Sequence, residues 1–263
     1  MKGINMTQTN YPTDLTDAQW CRLLPYLPKP SPVGRPLKWK MRSIINAIFY
    51  IVKSGCQWRM LPHQMPPWQT VYSHFRKWKI DGTWVMIHQS LHERIRCDIG
   101  KAPSPTVAII DSQSVKTTEL ADTRGFDAHK KVKGRKRHIV TDTIGIPLRV
   151  KVTDANISDN RVAIELLTEI FRWHITIQLV CADAGYRGEL GDWLYMAHQC
   201  RLDIAPSLGQ SGFVVVPLRW IVERTFSWFG CFRRLTLDYE RSAETAEAMV
   251  YIASIYLMQN RIK

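Results

Sequence analysis

Cysteine pairs are missing from this chain. The six cysteines, Cys21, Cys56, Cys97, Cys181, Cys200 and Cys231, lie far apart, and none forms a Cys-x-x-Cys pair. That spacing excludes a zinc ribbon or a thioredoxin-type site, and Cys181, inside an apolar run, reads as a small core residue. Long apolar runs are missing too. The most apolar stretch, Arg42 to Lys53, holds roughly ten apolar residues, half of what a bilayer span needs. No basic amphipathic helix stands out, so a membrane partner is not expected. Met1 to Pro12 is polar and has no apolar core segment, so no secretory leader is expected. The expected location is a reducing cytoplasm. Acidic residues are scarce. Lys and Arg number 36 against 23 Asp and Glu, a net charge of +13. Such an excess favours a polyanionic partner, nucleic acid above all. Residues 1–100 hold 14 basic and 5 acidic residues, and residues 101–263 hold 22 and 18, so the first part is the stronger candidate for independent nucleic-acid contact.

What is present fits a folded protein. Of 263 residues, 45% are apolar and 22% charged, enough for one large core or two modest ones. Thr16 or Asp17 predicts a helix cap, with Trp20, Leu23 and Leu24 on one face. Gly34-Arg35-Pro36, in a basic Pro-rich stretch, reads either as a linker or as an arm for a minor groove. Ser43 to Val52 is apolar nearly all round, which predicts a buried helix stopped by Gly55. Trp68, Val71, Tyr72, Phe75 and Trp78 then follow helical spacing, with Gln69, Thr70, Ser73, His74, Arg76 and Lys77 opposite. The pair fits a helix-turn-helix whose outer residues Ser73, His74, Arg76 and Lys77 meet DNA; an ordinary amphipathic helix is the alternative.

Two short apolar runs carry the chemistry. Thr106 to Ile110 ends in Asp111, and Ile177 to Ala182 ends in Asp183. Each reads as a buried strand with a carboxylate at its carboxyl end. Either Asp could merely cap its turn, but two in one cleft repel unless a hard divalent cation such as magnesium joins them. Between them runs His129 to His138, with Lys130, Lys131, Lys133, Arg135, Lys136 and Arg137. It reads as a solvated loop at the cleft rim, able to hold phosphates. Ile139 to Asp142 and Pro147 to Val152 read as the second and third strands. Ser158 predicts a helix cap ahead of an inner stripe of Ala163, Leu166, Leu167 and Ile170. Leu202 to Ala205 reads as a last strand and Ser207 to Gly212 as a loop; Pro217 is expected to start a helix with Arg219, Glu223 and Ser227 on one face. Glu223 could complete a site with the two Asp residues, or could simply pair with Arg219. The order β-β-β-α-β-α-β-α is that of a ribonuclease-H-like core. The expected fold is therefore α/β (α+β), a mixed five-stranded sheet over residues 101–263 preceded by an all-α helix-turn-helix-type domain over residues 13–100.

In combination the motifs resemble those of the DDE transposases of bacterial insertion sequences, in the insertion-sequence-five-like group. The resemblance spans roughly residues 13–260. It rests on Gly34-Arg35-Pro36, Ser54-Gly55-Cys56-Gln57-Trp58-Arg59, Pro67-Trp68-Gln69-Thr70-Val71-Tyr72, Ile110 to Lys116, Lys130 to His138, Ala182 to Arg187 and Arg219 to Phe226. A Tyr and a Lys that related enzymes carry around the Glu are replaced here by Val216 and Gly230, and Arg233 or Arg234 could substitute for the missing Lys. The resemblance implies that Asp111, Asp183 and Glu223 are catalytic and bind two magnesium ions about 3.5–4 Å apart, with manganese as a substitute. It implies cleavage by water and joining by a DNA 3′-hydroxyl, in-line and with no covalent protein–DNA bond. It also implies double-stranded DNA partners, both terminal inverted repeats and target, with Arg35, Arg219, Arg233 and Arg234 among the contacts, and at least a dimer on DNA. Two alternatives remain: a ribonuclease-H-like nuclease or resolvase that does not join strands, and a repressor that binds DNA without chemistry.

Overall fold

A computed structural model describes residues 11–29, 38–204 and 218–261. Gly34-Arg35-Pro36, Ala205, the 207–212 loop and Pro217 lie outside the described residues.

The chain begins with helix α1 (Asp17–Leu23), capped as the sequence predicts: Thr16 Oγ1 accepts from the Gln19 N–H, and the Gln19 side chain accepts from the Thr16 N–H. Helix α2 (Met41–Ser54) buries Ile44, Ile45, Ala47, Ile48, Phe49, Ile51 and Val52 and ends at Gly55, whose φ is +73°. Residues 55–67, with a 3-10 turn at Trp58–Met60, lead to α3 (Trp68–Ile80). That link is longer than the three- or four-residue turn of a compact helix-turn-helix. Val71, Phe75 and Trp78 of α3 are buried, whereas Tyr72, expected inside, is 39% exposed. Helix α4 (Thr83–Asp98) has no counterpart in the sequence reading. Its buried face mixes Trp84, Ile87, Leu91 and Ile95 with His88, His92 and Arg96, and those polar residues interrupt the apolar period.

The sheet consists of β1 (Val107–Lys116), β2 (Gly125–Asp127), β3 (Val132–Thr141), β4 (Pro147–Asp154), β5 (Leu179–Ala182) and β6 (Arg201–Ile204). Its main order is β4-β3-β1-β5-β6, with the short β2 on the same edge of β3 as β4. The β1, β3 and β4 pairings are antiparallel and the β1, β5 and β6 pairings parallel. The five expected strands are present and β2 is a sixth. The ribonuclease-H-like arrangement follows from this order, a three-strand meander extended by two parallel strands.

Two corrections concern β1 and β3. Asp111 does not end its strand, because β1 continues to Lys116 along β3; only the parallel partner β5 stops beside it. The basic run is not a loop either, since most of it forms β3. Gly134 lets β3 lie close to β1, where any Cβ would meet Val115 O at 2.0 Å.

Helices α5 (Asp159–Phe171) and α6 (Glu189–His198) cover one sheet face, with Ala163, Leu166, Leu167 and Ile170 buried against Ala108, Ile110 and Val180. Ser158 precedes α5 as expected, but its side chain makes no capping bond. The other face carries α7 (Arg219–Gly230), α8 (Arg233–Thr236) and the long α9 (Ala243–Arg261). Here Ile109, Ile139, Val150 and Cys181 share one apolar cluster with α7, α9 and the amino-terminal helices. No helix of the described residues is long and apolar enough to cross a membrane.

Candidate active site

Strand period puts Asp111 and Asp183 on the same side. Ile109 of β1 pairs with Cys181 of the parallel β5, and both face the α7 side of the sheet. Two residues further along each chain come Asp111 and Asp183, on that same face. Burial pushes the Asp111 carboxyl up to about 6, and the Asp183 charge adds to the rise. The Ser112 N–H, which donates to Asp111 Oδ1 at 2.7 Å, opposes it, as do the charges of Lys130 and Arg219. Asp183 opens a 3-10 turn, Ala184–Tyr186, and its Oδ1 accepts from the Gly185 N–H at 2.8 Å. The turn is held from α5, where Asn160 Nδ2 donates to Gly185 O and Arg187 O.

Lys130 is placed by the β2–β3 turn. Asp127 accepts from its backbone N–H at 3.0 Å, and its Nζ donates to Ser112 O at 2.8 Å. The ammonium therefore rests on β1 one residue from Asp111. Arg219, at the start of α7, acts electrostatically on Asp111 and stands 3.4 Å from Glu223. The Glu223 side chain is 56% exposed. Among the described residues no three His, Cys, Asp or Glu side chains converge closely enough to hold a metal ion. The structure thus brings Asp111 and Asp183 together and leaves Glu223 one helical turn from Arg219, in the pairing that the i, i+4 spacing allowed.

The donor chemistry of the Asp pair fits a hard divalent cation. Two carboxylates share a face, burial disfavours the charged form of Asp111, and the Ser112 N–H and the charges of Lys130 and Arg219 offset that in part.

The basic candidates divide sharply. Lys131 and Lys133 are exposed. Arg135, Lys136 and Arg137 are not on the surface expected of them. Arg135 is fully buried; its Nη1 donates to Asp238 at 3.2 Å and to Glu240 O, and its Nη2 to Arg241 O. Lys136 reaches Asp159 at 3.1 Å, and Arg137 Nη1 donates to Leu235 O at 2.7 Å. Burial brings the Arg137 guanidinium down to about 10. A charged residue inside a sheet needs such partners, and the run can lie in β3 because α8 and the 238–241 segment supply them. Arg234 is likewise held, by Glu240 at 2.6 Å and by Cys56 O, while Arg233 is exposed. On α3, Ser73, Arg76 and Lys77 are exposed and His74 Nδ1 lies 2.9 Å from Thr70 O.

Sequence reasoning missed Asn160, which has no motif value until the Asp183 turn is seen beside it. It also missed the role of Asp142, whose partners are distant in the chain.

Comparison with known families gives two matches. Residues 102–258 match the family described as “Transposase DDE domain”, and residues 15–88 match “Putative transposase of IS4/5 family (DUF4096)”. A relative from Burkholderia cepacia, “Putative transposase for insertion sequence element IS402”, is 31% identical over 137 residues, 49% of this chain and 65% of the relative. A second, “Insertion element IS402 uncharacterized 16.2 kDa protein” from the same organism, is 30% identical over 89 residues, 31% of this chain and 60% of the relative. The chain therefore aligns with less than two thirds of the length of either.

Proposed function

The chain belongs to the DDE transposases of insertion sequences, in the IS4/IS5 group, and on that premise we propose that it binds the terminal inverted repeats of its own element and catalyses metal-dependent cleavage and transfer of their strands. The observation that carries the proposal is the Asp111–Asp183 pair. Two carboxylates lie in register on one sheet face, and burial and like charge disfavour ionisation of the first.

Divalent ions, magnesium or manganese, held by Asp111, Asp183 and Glu223 would supply charge to stabilise in-line phosphoryl transfer and to activate the attacking hydroxyl. The chain's own residues do the rest. Asp111 is rigid because it lies within a paired strand, and Asp183 because Asn160 clamps its turn. Lys130 and Arg219, whose charges both act on Asp111, would meet the oxygens of the scissile phosphate. When Arg219 turns to a phosphate, Glu223 is released towards the aspartates. Exposed Lys131, Lys133 and Arg233 extend the positive surface, and Ser73, Arg76 and Lys77 of α3 offer contacts to the repeat DNA. Processing two ends together requires at least a dimer on DNA.

The discriminating test uses pre-cleaved terminal-repeat duplex, magnesium and a target plasmid. The proposal expects joined products. Cleavage of intact ends without any joining would identify a nuclease instead, and binding without either reaction a repressor.

A further inference from the structure

A chain of polar contacts runs from the amino-terminal helices to the helix that carries Glu223. Asp142 lies at the turn between β3 and β4 and is fully buried. Its Oδ2 faces His92 Nε2 at 2.9 Å and accepts from Arg96 Nη1 at 2.6 Å, both on α4. Its Oδ1 accepts from the backbone N–H groups of Ile144 and Ile146, at 3.1 and 3.2 Å. The carboxylate therefore has partners on both oxygens, which makes the 142–146 turn rigid.

The turn presents two carbonyls to α7. Ile144 O accepts from Arg224 Nη2 at 3.1 Å, and Gly145 O accepts from Thr225 Oγ1 at 2.7 Å. Gly145 has a φ of +83°, and a Cβ on it would lie 3.0 Å from Arg224 Nη2, 3.1 Å from Thr225 Oγ1 and 3.2 Å from the Trp228 ring. A side chain at Gly145 would therefore crowd α7, and the positive φ independently favours glycine there. Thr225 is fully buried and has one hydroxyl proton. A helical threonine commonly bonds to its own preceding turn, and Ile221 O stands at 2.9 Å. The shorter contact is to Gly145 O, outside the helix. Arg224 and Thr225 are the two residues that follow Glu223, and successive residues turn about 100° around a helix. Fixing these two fixes the direction in which Glu223 projects.

We propose that Thr225 is a positioning residue: by docking α7 on the Asp142 turn through Gly145 O, it sets the rotation at which Glu223 is offered to Asp111 and Asp183. The proposal rests on the transposase reading of the site. Apolar contacts of Ile221, Val222, Phe226 and Phe229 hold α7 against the sheet, and the directional bond from Thr225 selects one rotation.

The test compares Thr225→Val, which keeps the shape and loses the hydroxyl, with Thr225→Ser, which keeps the hydroxyl. Manganese(II) alone is titrated onto the full chain bound to repeat DNA, with free ion followed by electron paramagnetic resonance, alongside cleavage kinetics. For Thr225→Val the expected result is about a tenfold higher manganese requirement in both readouts, with unchanged repeat binding in EDTA. Thr225→Ser should restore the parent value. A general loss of structure would lower repeat binding as well, and Ser would not restore the metal requirement selectively. Should Thr225→Val not fold, Gly145→Ala, which pushes against Arg224 and Thr225, should give the same shift. Parent-like manganese dependence in the folded variant, while Glu223→Gln is weakened, overturns the positioning role. Parent-like behaviour of Glu223→Gln overturns the transposase reading of the site.

Discussion

Asp111 holds a charge where its surroundings disfavour one. Burial and Asp183 push its carboxyl up to about 6, from an ordinary value of 3.8. For an acid raised in the folded state, the metal-free protein holds this one group's contribution to stability in full below about pH 4. It loses that stability as pH rises towards 6, because the unfolded chain ionises more easily. Asp111→Asn should therefore abolish cleavage and yet raise the melting temperature of the metal-free protein at pH 8. The gain should be roughly 1–3 kcal/mol and should vanish at pH 4. Melting curves of parent and variant at the two pH values test this, and equal curves at pH 8 contradict it. Because protons compete with the cation for the same oxygens, manganese affinity should also fall steeply below about pH 6.

At the scale of elements, β3 shows how a charge run can mislead. Lys130 to His138 looked like a surface loop, yet Arg135 and Arg137 lie inside the protein. Their partners, Asp238 and the carbonyls of Leu235, Glu240 and Arg241, come from about a hundred residues downstream, beyond the reach of local pattern. Arg135→Ala should leave the buried Asp238 without its ion-pair partner, with the Glu240 N–H and the Arg137 charge remaining, and cost about 3 kcal/mol, whereas exposed Lys133→Ala should be near neutral for stability. Urea unfolding of the two variants distinguishes them. Replacing Arg76 and Lys77 of α3 by Ala should leave stability unchanged, weaken repeat binding and reduce its salt slope by about 2. A parent-like slope would remove α3 from the DNA contacts.

The elements that were legible are those whose neighbours in sequence are their neighbours in function. Thr16 and Gln19 form a local cap, Gly55 stops a helix, and the strand period carries Asp111 and Asp183 to one face. Helix α4 was not legible, because His88, His92 and Arg96 occupy buried positions that only distant partners such as Asp142 and Ser254 make tolerable. The exposed, Arg219-bound state of Glu223 was also beyond pattern, since spacing permits that pairing and a site ligand equally.

For the molecule as a whole, one apolar cluster joins the amino-terminal helices to the α7 side of the sheet, and α9 lies against both. Helical and sheet parts should therefore unfold in one transition, with tryptophan fluorescence and far-ultraviolet circular dichroism coincident. Two separated transitions would mean that residues 13–100 stand as an independent unit. The net charge of +13 acts at the same scale and favours polyanionic partners regardless of their sequence.

The most direct measurement is cleavage of terminal-repeat duplex in magnesium by Asp183→Ala beside the parent, with repeat binding measured in the same samples. The account predicts parent-like binding and loss of cleavage by about a hundredfold or more, since a ligand of the reacting centre has been removed. Cleavage at the parent rate would contradict it.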